Sequence, residues 1–153
     1  YDDEYFIFCE DDHTFTKHYT PGVLQEGIET AKSHNADILL GGVCWLETAV
    51  QVSDRMFWVD KYTGNQFVVI FKKFYPVILG ITDFDNMTAD KKISELSENK
   101  FVIFPFISLQ KEFGYSDATN NNNNTGRVDY LFDTTIKKLS KIDKVRRYYC
   151  NMR

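Results

Sequence analysis

The sequence predicts an α/β fold in which a mixed, mostly parallel sheet is flanked by helices. Two observations carry this. Short continuous apolar runs at Tyr5–Cys9, 37–40, Phe67–Phe71 and 101–104 have the pattern of strands buried on both faces. Between and after them lie stretches of helical periodicity, the alternation that layers helices against a sheet. Length and composition agree: 153 residues, 43% hydrophobic and 26% charged, suffice for one domain with a real core.

Taken in order, the run Tyr5–Cys9 ends abruptly in Glu10-Asp11-Asp12-His13. Pro21-Gly22 then opens a helix whose inner face holds Val23, Leu24, Ile28 and Ala31 and which ends near Asn35. The second strand is stopped by Gly41-Gly42. Residues 45–59 alternate only around 48–52 and read as irregular or hairpin-like. After the third strand a short helix carries Pro76 near its first turn. Thr88 suits a helix N-cap with Asp90 in the first turn, and Ile93 and Leu96 supply the inner face. The fourth strand closes at Pro105. A mobile Asn-rich loop is expected over 118–126. Over 127–153, Val128, Leu131, Phe132, Ile136, Leu139, Ile142, Val145 and Tyr149 recur at helical spacing, a long amphipathic helix.

Charge and composition narrow the function. The net charge is −4, which disfavours an electrostatic nucleic-acid partner. Its distribution is lopsided: residues 137–153 hold seven bases against the single acid Asp143, an excess of six that leaves −10 on the rest of the chain. The basic helix is a candidate for peripheral contact with an anionic membrane, the alternative being a solvated face. Cys9, Cys44 and Cys150 have no metal-ligand spacing, and Cys9 and Cys44 read as small buried hydrophobes. A reducing cytoplasm is the expected location, at most peripheral on the inner face of a membrane. No apolar run is long enough to span a bilayer. Aromatic residues reach 16%, with 13 Phe, 9 Tyr and 2 Trp; they build a core or wall a pocket for flat-faced ligands. Trp45, Trp58 and Tyr62 are open to either role.

Ligand sites of open α/β sheets gather beyond the carboxyl ends of strands, where Glu10, Asp11 and Asp12 fall. Adjacent carboxylates repel, so a folded cluster is easiest to understand around a cation. Oxygen donors suit Mg²⁺, Mn²⁺ or Ca²⁺ rather than zinc. A solvated acidic turn is the other reading. His13 beside it is a polar contact or a structural residue.

The segment Phe6-Ile7-Phe8-Cys9-Glu10-Asp11-Asp12-His13 resembles the metal-site strand of nucleotide-diphospho-sugar glycosyltransferases with the GT-A fold, in the bacterial lipopolysaccharide-type flavour where Glu-Asp-Asp replaces Asp-x-Asp. Three further segments are similar in order. They are Thr63-Gly64-Asn65-Gln66 with its hydrophobic strand, Thr88-Ala89-Asp90, and Pro105-Phe106-Ile107-Ser108-Leu109-Gln110 followed by Gly114-Tyr115-Ser116-Asp117, the last like Bacteroides-type versions. The family carries a nucleotide-binding βαβ half before the acidic motif. The resemblance therefore implies that this chain corresponds to the C-terminal portion of a GT-A fold and binds a complete donor poorly alone.

The resemblance also implies a chemistry. Asp12 and Glu10 would be metal ligands for Mn²⁺ or Mg²⁺, and Glu10 and Asp11 would face the nucleotide-diphospho-sugar. Asp90 would be the base that takes the proton of a glycan or lipid-linked acceptor in an inverting transfer. Asp83, Asp85 and Asp117 are weaker candidates for that base. The rival from another class is a non-catalytic metal- or carbohydrate-binding module. A metal-dependent phosphoester hydrolase would need further His or Asp ligands at strand ends, which the sequence does not offer.

Overall fold

The computed structural model describes residues 3–113 and 125–150. In order, these form β1 (Tyr5–Cys9), β2 (His13–Phe15), α1 (Pro21–Ser33), β3 (Ile38–Leu40), β4 (Trp45–Leu46), β5 (Ala49–Ser53), β6 (Met56–Val59), β7 (Tyr62–Thr63) and β8 (Phe67–Phe71). A 3₁₀ turn (Lys72–Phe74), α2 (Tyr75–Leu79), α3 (Ala89–Leu96), β9 (Lys100–Ile103), β10 (Ser108–Gln110) and α4 (Arg127–Cys150) follow. The Asn run 120–124 and the segment from Gly114 to Asp117 lie outside the described residues.

Six strands make one sheet in the order β1-β8-β3-β9-β6-β5. Of its pairings only β3 with β9 is parallel; β1–β8, β8–β3, β9–β6 and β6–β5 are antiparallel. The expected mostly parallel sheet is thus corrected to a mixed, mostly antiparallel one. The cause is in the connections. Parallel neighbours cannot be joined by a hairpin, and the chain reaches β9 from its parallel neighbour β3 only after β4 to β8, α2 and α3. Between β3 and β8 the chain instead turns through β4 to β7, and β8 returns against β3.

Strand alternation splits the core in two. Ile38, Leu40, Val68, Ile70, Phe57 and Val102 face one side with Phe132 and Leu139 of α4; Leu39, Val69, Phe101 and Ile103 face the other with Ile28 and Ala31 of α1. Helix α1 begins where Thr20 accepts a hydrogen bond from the Val23 amide (3.1 Å), with Pro21 in its first turn. Glu112 accepts bonds from the amides of Gly126 and Val128, holding the start of α4. No helix among the described residues is long and apolar enough to cross a membrane.

Several expectations change. β1 is an edge strand in the sheet rather than buried on both faces, and Phe6, Ile7 and Phe8 are 43–45% exposed. Cys9 is exposed with them, and Cys44 is half-buried. In α3, Ser94 is the buried residue and Leu96 is exposed, because Ser94 accepts a hydrogen bond from the Tyr62 amide. The last turns of α4 run past the core, leaving Val145 and Tyr149 exposed.

Asp37 ties the sheet to α3's far end. Its carboxylate accepts hydrogen bonds from the amides of Glu98 (3.0 Å) and Asn99 (2.9 Å) and meets Lys73 at 2.8 Å. Burial alone would raise its pKa; the Lys73 and amide contacts outweigh that and hold it below its ordinary value. Stability from a depressed carboxyl is present above the unfolded pKa of ~3.9 and is lost as pH falls through the folded one. Asp37→Asn should therefore cost roughly 1–3 kcal/mol near neutral pH, in urea denaturation. The gap from the wild type should narrow at pH values below ~4.

Candidate functional site

The turn after β1 is built on β8. The Glu10 amide donates to the carbonyl of Gln66, the residue before β8 (3.1 Å), and the Glu10 carbonyl accepts from the His13 amide (3.3 Å). Cys9 pairs with Phe67, which places Glu10, Asp11 and Asp12 just beyond that end of the sheet. The directions of β3 and β9 put their carboxyl ends there too.

The three acids differ sharply in environment. Asp11 is exposed. Asp12 is half-buried: Oδ2 accepts from Gln110 Nε2 at 2.6 Å, its carbonyl accepts from the Lys111 amide at 2.7 Å, and its buried Oδ1 has no partner among the described residues. Glu10 is half-buried as well. Burial, followed by the charges of Asp12, Asp90 and Asp11, pushes its carboxyl up to about 7.

Asp90 arrives from another segment. In the first turn of α3 its Oδ2 accepts the Gly64 amide at 2.8 Å, and its Oδ1 accepts the Lys91 amide and the Thr88 hydroxyl. Thr88 is the N-cap, as its position suggests, but its hydroxyl serves Asp90 rather than the helix backbone. Gly64 has φ +105°, and a Cβ there would lie 3.0 Å from Gln66 Oε1 and 3.2 Å from the Cys44 amide nitrogen. A glycine thus lets the loop carry its N–H to Asp90. The Asp90 charge acts on Glu10, Cys44 and Tyr62.

Cys44 completes this wall, its thiol donating to the Thr63 carbonyl at 3.2 Å, and burial pushes its pKa up. Gln66 is buried, with Nε2 bonded to the Gly42 carbonyl (2.9 Å) and Oε1 unpartnered. Gly42 itself is required, since a Cβ would lie 2.2 Å from the Ser108 carbonyl. Gln66 and Gln110 both fall within segments that resemble the family, but neither has a site role assigned from the sequence. The signal for Gln66 was a polar residue at the mouth of an all-apolar strand.

The other candidates separate. His13 is structural: its Nδ1 meets Ser108 Oγ at 2.9 Å and its ring packs edge-on against Phe15. Tyr62 belongs to the core, fully buried with its hydroxyl donating to Asn65. Trp58 is half-buried and Trp45 is 44% exposed. Asp83 accepts from the Asp85 amide, and Asp85 pairs with Lys92. Asp117 lies outside the described residues.

Among the described residues no three His, Cys, Asp or Glu side chains converge as a metal-holding group. The residues still fit a hard divalent cation in one respect. Asp12 Oδ1 is a buried carboxylate oxygen with no donor among the described residues, two positions from Glu10, whose carboxyl is raised by burial and then by like charge. Mg²⁺ and its analogues take one or two protein carboxylates and complete their shell with water and substrate phosphates. Comparison with protein-family models gives no match, and comparison with curated proteins gives none.

Ionising Glu10 beside these charges costs the cation-free fold stability. Its pKa rises from 4.5 to about 7 on folding, so the cost grows across that range and levels off above it. Glu10→Gln should therefore melt higher than the wild type in chelator above neutral pH, by on the order of 1–2 kcal/mol after solvent screening. The two should converge near pH 4.5.

Proposed function

We propose that the chain is the catalytic C-terminal portion of a metal-dependent glycosyltransferase of GT-A type. It would transfer a sugar from a nucleotide-diphospho-sugar to a glycan or lipid-linked acceptor, in cell-surface polysaccharide or lipopolysaccharide synthesis. One observation carries the reading: the short segment from Gly64 to Gln66 holds both acids, the Gly64 amide donating to Asp90 and the Gln66 carbonyl accepting from the Glu10 amide, eighty positions earlier. Two motifs far apart in the chain thereby meet at one end of the sheet. The open apolar edge of β1 supports the further expectation that an upstream half pairs there.

In this reading Asp12 and Glu10 would hold Mn²⁺ or Mg²⁺, and Glu10 and Asp11 would face the nucleotide-diphospho-sugar. When bound, such an ion stabilises the negative charge gathering on the departing diphosphate. Asp90 receives the acceptor's proton as the acceptor oxygen attacks the anomeric carbon. Oδ2 is the suited oxygen, since it accepts a bond from the Gly64 amide while Oδ1 accepts two. The same commitment of both oxygens favours the second reading, a non-catalytic metal- or carbohydrate-binding module in which Asp90 only shapes the loop.

One titration set separates them. In a protein that restores the upstream half, Mn²⁺ should promote binding of a nucleotide-diphospho-sugar, with UDP-glucose, UDP-galactose and GDP-mannose as probes, and Asp12→Asn should abolish the metal dependence; the 153-residue chain alone should bind these donors weakly. Asp90→Asn should keep that binding but lower the transfer rate ~10²–10⁴-fold. Unchanged transfer in Asp90→Asn would leave Asp90 a loop residue; nucleotide-sugar binding indifferent to Mn²⁺ would leave the module.

The proposal includes peripheral contact with an anionic membrane through α4. Lys138 bonds to the carbonyls of Leu46 and Glu47, Arg146 pairs with Asp54, and Arg147 with Asp143. Lys137, Lys141 and Lys144 are exposed at helical spacing on one face that leads to Tyr148, 64% exposed. Sedimentation with liposomes should rise with anionic lipid content and fall with salt, and charge reversal at Lys141 and Lys144 should weaken it. Indifference to lipid charge at low salt would exclude the contact.

A further inference from the structure

Both tryptophans of the chain line one groove along the flank of α3. A hollow of about 140 Å³ is walled by Trp45, Thr63, Lys91 and Glu95 among others, and a second of about 410 Å³ by Trp58, Asp60, Glu98 and Lys100. The two share Lys61, Ser94 and Glu95 in their walls, so they lie side by side along α3. At the near end stand Thr63 and Lys91, the chain neighbours of Gly64 and Asp90, whose hydrogen bond closes the acid cluster. Lys100, at the far end, opens β9, while the acid cluster lies level with the end of that strand. Four residues at ~3.3 Å each separate the two ends by on the order of 10–13 Å along the sheet. The groove suits an extended ligand.

Its chemistry selects the class. Asp60, Glu95 and Glu98 alternate with Lys61, Lys91 and Lys100. Balanced opposite charges give a polyanion or a polycation no advantage, whereas hydroxyl groups donate to carboxylates and accept from ammonium groups. Lys100 is the sharpest feature. It is 4% exposed, yet among the described residues its three-donor ammonium bonds to the Ser97 carbonyl. Burial lowers its pKa, opposed by the carboxylates of Asp60, Asp37 and Glu98. Trp45, by contrast, holds an indole 44% exposed among polar groups, a platform for the apolar face of a sugar ring.

We propose that this groove binds an uncharged oligosaccharide, with one ring against Trp45 and a further ring in the hollow of Trp58 and Lys100. Its direction toward Asp90, as the acceptor of a transfer, rests on the function proposed above; the binding itself does not.

The test is titration of the full chain, free of metal and nucleotide, with maltotriose, cellotriose, laminaritriose and mannotriose. The readout is the two indole N–H signals in ¹H–¹⁵N spectra. At least one trisaccharide should shift both signals saturably. Trp45→Ala and Glu95→Gln should each weaken that binding roughly fivefold or more at an unchanged melting temperature. Asp12→Asn should leave it intact. No saturable shift with any of the four overturns the proposal, as does binding that Trp45→Ala leaves unaltered. A parallel Mn²⁺ titration separates the two readings. Ion binding without saccharide binding removes the groove and spares the transferase, and saccharide binding without Mn²⁺ does the reverse.

Discussion

The constraint on which the rest depends is the antiparallel insertion of β8 between β1 and β3. Its five residues, Phe67 to Phe71, are all buried, and their backbone pairs on both sides. A strand enclosed in this way admits no register slip, because a one-residue shift would exchange Val68 and Ile70 for Phe67, Val69 and Phe71 across two differently packed faces. The fixed register is inherited at the mouth of the strand. There Gln66 receives the Glu10 amide and Phe67 the Gly41 amide, so the acid turn and the glycine pair are set by the same bonds that close the sheet.

Around that mouth the chain approaches itself closely and then meets its polar groups one by one. Gly42 passes against the Ser108 carbonyl, and Ser108 in turn receives His13. Gly64 bends back to offer its amide to Asp90. β2 and β10 pair in a separate two-stranded ribbon, which carries Gln110 to Asp12. What remains unsatisfied is therefore informative. Asp12 Oδ1 and Gln66 Oε1 are buried acceptors without donors among the described residues. Two orphan acceptors beside a crowded carboxylate describe a place short of positive charge.

Legibility in the sequence followed the same physics. Tyr5–Cys9, Ile38–Leu40, Phe67–Phe71 and Lys100–Ile103 were readable as strands because each is a compact apolar run between punctuating residues. Their directions were not, since a central strand has the same composition whether its neighbours run with it or against it. β1 read as buried because apolarity reports what a surface is suited to, not whether something covers it. Met56–Val59 was legible only as part of an irregular or hairpin-like stretch, because the hairpin that ties it to β5 is itself irregular. In α3 the periodic signal favoured Leu96, but a serine with a backbone partner took the inward place. At the site, Glu10 to Asp12 were visible as acids ending a strand. Asp90 was visible through a helix-start motif alone, and its contact with Gly64 needed the fold. Gln66, Gln110 and Thr63 act through backbone and side-chain partners distant in sequence, which no local pattern encodes.

The aromatic surplus resolves in the same terms. Phe57, Phe104, Phe106 and Phe132 stack edge to face through the core on the α4 side, and Phe101 and Phe71 serve the α1 side. Those rings are committed to packing, where an indole would be too large and would need a partner for its N–H. Trp58 meets that need at the rim by donating to the Glu98 carbonyl at 3.2 Å. The same bond holds it against the loop that Asp37 clamps through the Glu98 and Asn99 amides. The far wall of the groove is thus fastened to the start of β3, whereas Trp45 stands on the two-residue strand β4. Any ligand bridging the two indoles would link a wall anchored in the six-stranded sheet to one carried by a two-stranded ribbon whose inner residues, Leu46 and Tyr62, are themselves part of the core.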